Sequence, residues 1–133
     1  MSQDKLVRVR DVMKSEFDVV DGLMTVSDAL HEMKHQDTKS LIVDKRHDDD
    51  EYGIVLLSDI ARLVLAKNKS PERVNIYEIM SKPVITVDPD MDIRYCARLF
   101  DKFGLSRSPV VENRKLLGIV SYTDMVLGGM LND

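Results

Sequence analysis

The sequence predicts an α+β (mixed α/β) chain of two β-α-β-β-α repeats packed with pseudo-two-fold symmetry, and three observations predict it. The first is self-similarity. Asp11-Val12-Met13 matches Glu78-Ile79-Met80, Val20-Asp21 matches Val87-Asp88 and Met24 matches Met91, all at one offset, 80 − 13 = 67. An internal repeat of that size decides the architecture before any single element does. The second is a pair of helix stripes with identical spacing, Val26-Ala29-Leu30-Met33 and Ile93-Cys96-Ala97-Phe100, each an i, i+3, i+4, i+7 pattern. The third is a strand-to-helix passage that occurs twice, Gly53-Ile54-Val55-Leu56-Leu57-Ser58-Asp59 and Gly118-Ile119-Val120-Ser121-Tyr122-Thr123-Asp124. Glycine followed by β-branched residues suits a buried strand, and Ser or Thr just before Asp suits a helix start.

Taken in order, each repeat opens with a strand that leads into its striped helix. Thr25 is the expected cap of the first helix, with Asp28 three residues on, and Asp90 of the second. Short apolar strands follow, Ser40–Asp44 and Ser108–Glu112, each ending in an acid and aligned at an offset of 108 − 40 = 68, which places Lys39 and Arg107 at corresponding positions. A turn and a further strand, Tyr52–Leu56 or Leu116–Ser121, complete a hairpin in each copy, the first with the longer loop. Each repeat closes with a helix, from Ser58 to about Lys67 and from Thr123 to about Leu131. Polar Asn68–Arg73, with Pro71, reads as a connector, and Asn75–Met80 as a short helical turn. The repeats are thus 7–67 and 75–131, joined by the linker 68–74 into one compact module. A three-stranded sheet with helices on one face buries its apolar surface poorly alone. The two copies are therefore expected to pack together, with binding clefts where they meet.

Composition narrows the function. At 133 residues, 44% hydrophobic and 32% charged, the chain is long enough for a real core. A formal charge of −4 supplies no basic field for a polyanionic duplex, which argues against nucleic acid. The longest apolar runs, Ile54–Leu57 and Leu63–Ala66, fall far short of the ~20 residues that cross a bilayer. Met1–Lys5 holds no apolar stretch like a secretory signal, and one cysteine makes no internal disulfide, so a cytoplasmic, reducing location is expected.

The doubled passage is where chemistry is expected. Backbone N–H groups at a helix start attract anions, and a carboxylate there can accept hydrogen bonds from both hydroxyls of a sugar. Asp11-Val12-Met13, the run Ile79-Met80-Ser81-Lys82-Pro83-Val84-Ile85-Thr86-Val87 with Pro89, Ser108-Pro109-Val110-Val111 and Gly118–Asp124 together resemble tandem CBS domains, over nearly all of Val7–Leu131. These are the paired regulatory modules of enzymes such as inosine monophosphate dehydrogenase and AMP-activated protein kinase. The resemblance implies a non-catalytic sensor that binds AMP, ADP or ATP, sometimes S-adenosylmethionine or NAD, in clefts between the copies, and that forms a homodimer. Ligand occupancy would shift the placement of the copies or of two chains. The family's ligand motif, Gly, two apolar residues, Ser or Thr, two variable residues and Asp, is met by Ser121 and Asp124, which implies phosphate at Ser121 and ribose at Asp124. By the same resemblance one cleft joins Ser121 and Asp124 to Thr38, Lys39, Ser40 and Asp18. The other joins Asp59 to Ser106, Arg107, Ser108 and Ile85. Leu56 stands where the second cleft needs a hydroxyl, so the Asp124 cleft ranks first, with Ser58 or Arg107 as substitutes in the other. Lys39 and Arg107 would neutralise phosphate.

Other readings compete with this one. A ligand-independent dimerisation or adaptor module fits the same repeat. His31-Glu32-Met33-Lys34-His35 matches the H-E-x-x-H pattern of a zinc hydrolase. On a helix whose apolar side holds Val26, Ala29, Leu30 and Met33, however, both histidines face solvent, and the third histidine, His47, lies in an acidic loop. That loop, His47–Glu51, lacks the glycine and alternation of a calcium site and reads as a solvated hairpin tip. Cys96 lies in a core stripe and reads as a small buried residue. Asp59 and Asp124 also suit helix capping, which is compatible with a ribose site. No catalytic or metal-ligating residue is assigned.

Overall fold

The computed structural model describes residues 6–131; Met1–Lys5, where a secretory signal was not expected, and residues 132–133 lie outside the described residues. The chain divides into two compact units. One runs from Phe17 to Val84 and carries β1 (Val19–Val20), α2 (Val26–Glu32), β2 (Ser40–Val43), β3 (Gly53–Leu56) and α3 (Leu57–Ile60). The other takes the chain up to Glu16 with the chain from Ile85 on, and carries α1 (Val9–Val12), α4 (Ile93–Phe103), β4 (Arg107–Glu112), β5 (Lys115–Ser121) and α5 (Tyr122–Gly129). No described helix is long and apolar enough to cross a membrane.

These units are not the sequence repeats. Each is the body of one repeat closed by the leading segment of the other. In the β4–β5 unit, Val9 N donates to Met91 O, Arg10 N to Pro89 O, and Ile93 N to Val7 O. In the β1–β3 unit, Ile76 N donates to Met24 O, Tyr77 N to Gly22 O, and Val26 N to Val74 O. Each bond maps onto its counterpart at 76 − 9 = 67, with donor and acceptor segments exchanged. Packing explains the exchange. Val74 and Ile76 complete a core with Val20, Val26, Ala29, Leu41, Val43, Val55 and Val64, while Val9 joins Val87, Cys96, Phe100, Val110, Val120 and Met125. Burying an aliphatic side chain is worth roughly 1.5–3 kcal/mol, so each leading segment is held by its own apolar residues.

In the β1–β3 unit, β1 pairs parallel with β2, and β2 antiparallel with β3. The expected three-stranded sheet of the other copy is reduced: β4 and β5 form a two-stranded ladder, and Val87 touches Val110 through a single parallel bridge. The cause lies in one residue. Ile42 N donates to Asp18 O at 3.0 Å, but the position 67 residues later is Pro109, which has no N–H to give Ile85 O. The Ser108 hydroxyl supplies that donor from the side, at 2.6 Å. Ser108 is 0% exposed, and removing its hydroxyl leaves the part-buried Ile85 carbonyl short of a partner. Ser108→Ala is accordingly expected to cost about 1.5 kcal/mol, read as a lower urea midpoint with unchanged slope. An unchanged midpoint would mean that Ile85 O does not depend on this hydroxyl.

Three local expectations are corrected. The ladder matches Val20–Val43 with Val87–Val110, so β2 and β4 align at 110 − 43 = 67 rather than 68. Lys39 then corresponds to Ser106: Leu57 N donates to Lys39 O as Tyr122 N does to Ser106 O. Arg107 corresponds to Ser40, and these two residues oppose Ser121 and Leu56. Second, the cap of α4 is Asp92, which accepts from Arg94 N at 2.9 Å, and not Asp90, which pairs with Arg10. Thr25 does cap α2, accepting from Asp28 N, and the same offset carries Thr25 to Asp92. Third, the helix after β3 begins as α3 and widens over Ala61–Leu65 into a π turn, with Ala66 N bonded to Ala61 O. The hairpin of β4 and β5 closes through Asn113 and Arg114, both left-handed at φ 53° and 66°, the two-residue turn that matches strand twist.

Candidate functional site

Each hairpin brings the start of its first strand beside the end of its second, so each unit builds its own strand-to-helix mouth. In the β4–β5 unit the mouth collects Ser106, Arg107, Ser121 and Asp124. Ser121 ends β5 and caps α5; its Oγ accepts from Asp124 N at 3.2 Å and donates to Asp124 Oδ2 at 3.0 Å. Asp124 Oδ2 also accepts from Ser121 N at 3.0 Å. This reciprocal box satisfies donors that a helix start leaves open. Arg107 faces Ser121 across the ladder, and burial pushes its pKa down while the Asp124 carboxylate opposes that shift. Ser108 and Ile85 bond to one another behind it.

The remaining Asp124 oxygen, Oδ1, holds the Lys14 ammonium. The Asp124 side chain is 8% exposed and that of Lys14 32%. Lys14 is fixed in this place by its backbone, which exchanges two hydrogen bonds with Ile119, both 2.9 Å. Sequence reasoning missed Lys14. It directly follows Asp11-Val12-Met13, and its counterpart at 81 − 14 = 67 is Ser81, which exchanges the same bonds with Ile54. A cation present in only one copy was the available signal.

The mouth of the β1–β3 unit is built differently. Asp59 Oδ2 accepts from Leu56 N at 2.9 Å, but Leu56 brings no hydroxyl, and Asp59 Oδ1 is met by Arg62, whose side chain is 67% exposed. Lys39 is exposed and left-handed at φ 56°, and Ser58 is exposed. Thr38 and Ser40 are buried, their hydroxyls turned onto backbone: Thr38 donates to His35 O at 2.8 Å, Ser40 to Thr38 O at 3.2 Å. Asp18, 9% exposed, accepts from Lys34 N and His35 N at 2.9 and 2.8 Å, tying down the chain beyond α2. The twelve candidate residues divide six and six, with Ser121, Asp124, Ser106, Arg107, Ser108 and Ile85 in one unit and Asp59, Ser58, Thr38, Lys39, Ser40 and Asp18 in the other, so each cleft expected from the resemblance draws on residues of both units.

Other features sit apart from these mouths. A cavity of about 860 Å³ lies at the opposite, C-terminal ends of β1 and β2, lined by Val19–Leu23, Val43–Arg46, Tyr77, Met80 and Lys82. The acidic loop beside it is solvent-exposed at His47, Asp48, Asp49 and Glu51, and only Asp50 turns inward. Asp50 bonds to Lys82 at 2.7 Å and accepts from Arg46 N, and these hold its carboxyl well below the usual range. Among the described residues, Asp88, Asp90 and Glu112 bring carboxylate oxygens within 4.8 Å of one another. Arg10 already lies among them, 2.8 Å from Asp90 and 3.7 Å from Glu112. The zinc-hydrolase alternative loses its geometry: α2 ends at Glu32, so His31 and His35 do not share one helix face. Cys96 is fully buried, which pushes its thiol up to about 11.

Comparison with known proteins decides the family. The family model for the CBS domain matches residues 9–66 and again 76–128. This chain belongs to the CBS domain family. The CBS pair resembles the hexameric CBS-CP12 protein from bloom-forming cyanobacteria, 37% identical with a TM-score of 0.87 over 92% of this chain and 67% of that one. It also resembles a CBS domain pair solved in complex with 5′-methylthioadenosine and S-adenosyl-L-methionine, 27% identical with a TM-score of 0.77 over 94% of this chain and 98% of that one. An uncharacterized protein of Methanopyrus kandleri is 32% identical over 112 residues, 82% of this chain; the chain spans 57% of that relative's length. CBS pairs are generally regulatory rather than enzymatic, and commonly bind adenosine-containing ligands.

Proposed function

We propose that this CBS pair is a regulatory, non-catalytic module that binds an adenosine nucleotide of the AMP, ADP or ATP class, with S-adenosylmethionine and NAD as the other candidates. One observation carries the reading: a nearly buried carboxylate, Asp124, stands at the head of α5 beside a half-buried guanidinium, Arg107. Carboxylate suits a ribose diol, and guanidinium suits phosphate. Ser121, Asp124, Ser106 and Arg107 are assigned to the ligand, with Ser108 and Ile85 shaping the wall. The mouth of Asp59, Ser58 and Lys39, with Thr38, Ser40 and Asp18 beneath, is the weaker one, because Leu56 lacks a hydroxyl. The solved neighbour that holds two adenosine compounds, neither of them phosphorylated, supports the adenosine part of this reading.

A second reading has its own observation. Phe103, Val126, Leu127, Met130 and Leu131 are large, apolar and 47–71% exposed on and just beyond α4 and α5, a surface suited to a homodimer. Thermal unfolding with AMP, ADP, ATP, S-adenosylmethionine and NAD separates the two. A ligand at 100 times its Kd stabilises by about 2.7 kcal/mol, a shift of several degrees. No shift with any of them, together with a dimer in sedimentation equilibrium, would leave self-association as the function.

A further inference from the structure

We propose that Lys14 makes the Asp124 mouth selective for phosphorylated adenosine compounds over neutral or cationic ones; this deepens the function proposed above and rests on it. A carboxylate offers about four lone-pair sites. Three are filled at Asp124: Ser121 N and Ser121 Oγ on Oδ2, and the Lys14 ammonium on Oδ1. A ribose diol brings two donors and so must take a place now held by protein. The two bonds from Ser121 belong to the cap of α5 and stay with the helix. Lys14 is the partner that gives way.

Displacement then sets a requirement on the ligand. Lys14 is pinned through its backbone to Ile119, and its side chain is only 32% exposed. An ammonium in that setting, deprived of its carboxylate, is costly unless another anion replaces it. A phosphate on the same ligand supplies that anion beside Arg107. Adenosine and methylthioadenosine take the Asp124 oxygen and offer nothing in return, and the one carboxylate of S-adenosylmethionine comes with a sulfonium and an ammonium that outweigh it. The other mouth carries no such device: its Asp59 is paired with Arg62, whose side chain is 67% exposed and returns to water when released, and Ser81 stands in place of Lys14.

The test is calorimetric titration of AMP, adenosine and S-adenosylmethionine into wild type, Lys14→Met and Lys14→Arg. A charged hydrogen bond is worth about tenfold or more in affinity, so wild type should bind AMP at least about tenfold tighter than adenosine. Lys14→Met should reduce that preference severalfold, to what Arg107 alone supplies, by weakening AMP and tightening adenosine, and Lys14→Arg should keep it. Acetylation of Lys14 in the wild-type protein, read by mass spectrometry, gives a second measurement that needs no variant: adenosine should speed labelling and AMP should not. An AMP-to-adenosine ratio unchanged in Lys14→Met, or equal labelling with both ligands, overturns this inference while leaving the proposed function standing. Binding of no adenosine compound to any of these proteins overturns both.

Discussion

Asp124→Ala is expected to abolish nucleotide-induced stabilisation and to destabilise the protein by about 2 kcal/mol. Two losses add up to that figure. Removing the carboxylate breaks the cap of α5, including the bonds to Ser121 N and Oγ, which is worth about 1 kcal/mol. It also strands the Lys14 ammonium. A fully buried cation that loses its partner costs roughly 3–5 kcal/mol, and the 32% exposure of Lys14 reduces this to about 1 kcal/mol. Asp59→Ala should lose only its cap, because exposed Arg62 is solvated without it. Asp124→Asn separates site from stability: it keeps a side-chain acceptor for Ser121 while weakening its hold on both Lys14 and ribose. Measured by thermal unfolding with and without nucleotide, Asp124→Ala should remove the ligand shift more completely than Asp59→Ala does. Equal losses would refute the ranking of the two mouths.

Much of this was legible in the sequence because a repeat reports on itself. The offset of 67 between Met13 and Met80 is kept by β2 and β4 and by the hydrogen bonds of Val9 and Ile76, it falls to 121 − 56 = 65 at the closing strands, and the unequal pair Leu56 and Ser121 can be read directly. Matching Ser40 to Ser108 by residue type adds one residue and misplaces Arg107; the parallel bridge Val87–Val110 decides otherwise. Choosing Asp90 over Asp92 as a cap fails because two nearby aspartates look alike by residue type, although the offset of 67 from Thr25 points to Asp92 and the backbone geometry agrees. The exchanged leading segments were not legible at all. Hydrophobic periodicity says that Val9 and Ile76 are core residues, but not which core they enter. Lys14 was hidden for the same reason, since its partner lies 110 residues away and no local pattern links them.

Gly118→Ala should be the most damaging single methyl in the doubled motif, costing about 3 kcal/mol, where its counterpart Gly53→Ala costs about 1 kcal/mol. The reason is close approach. A Cβ on Gly118 would lie 2.5 Å from the Lys14 carbonyl oxygen and 3.0 Å from Met13 Sδ. The carbonyl cannot turn aside, because it accepts from Ile119 N while Lys14 N donates back to Ile119 O, both at 2.9 Å. Relief therefore means lifting the Lys14 segment off β5, at the cost of those two bonds and of the register that brings the ammonium to Asp124. On Gly53 the same atom would meet Met80 Sδ at 3.1 Å and Ser81 O at 3.2 Å, contacts that a flexible thioether and a few tenths of an ångström relieve. The two variants should differ in unfolding free energy by about 2 kcal/mol, read from their denaturant midpoints at common slope, and Gly118→Ala alone should make Lys14 more reactive to acetylation. Equal midpoints would mean that the leading segments yield equally in both units, and that Lys14 is not held against Asp124 by its backbone.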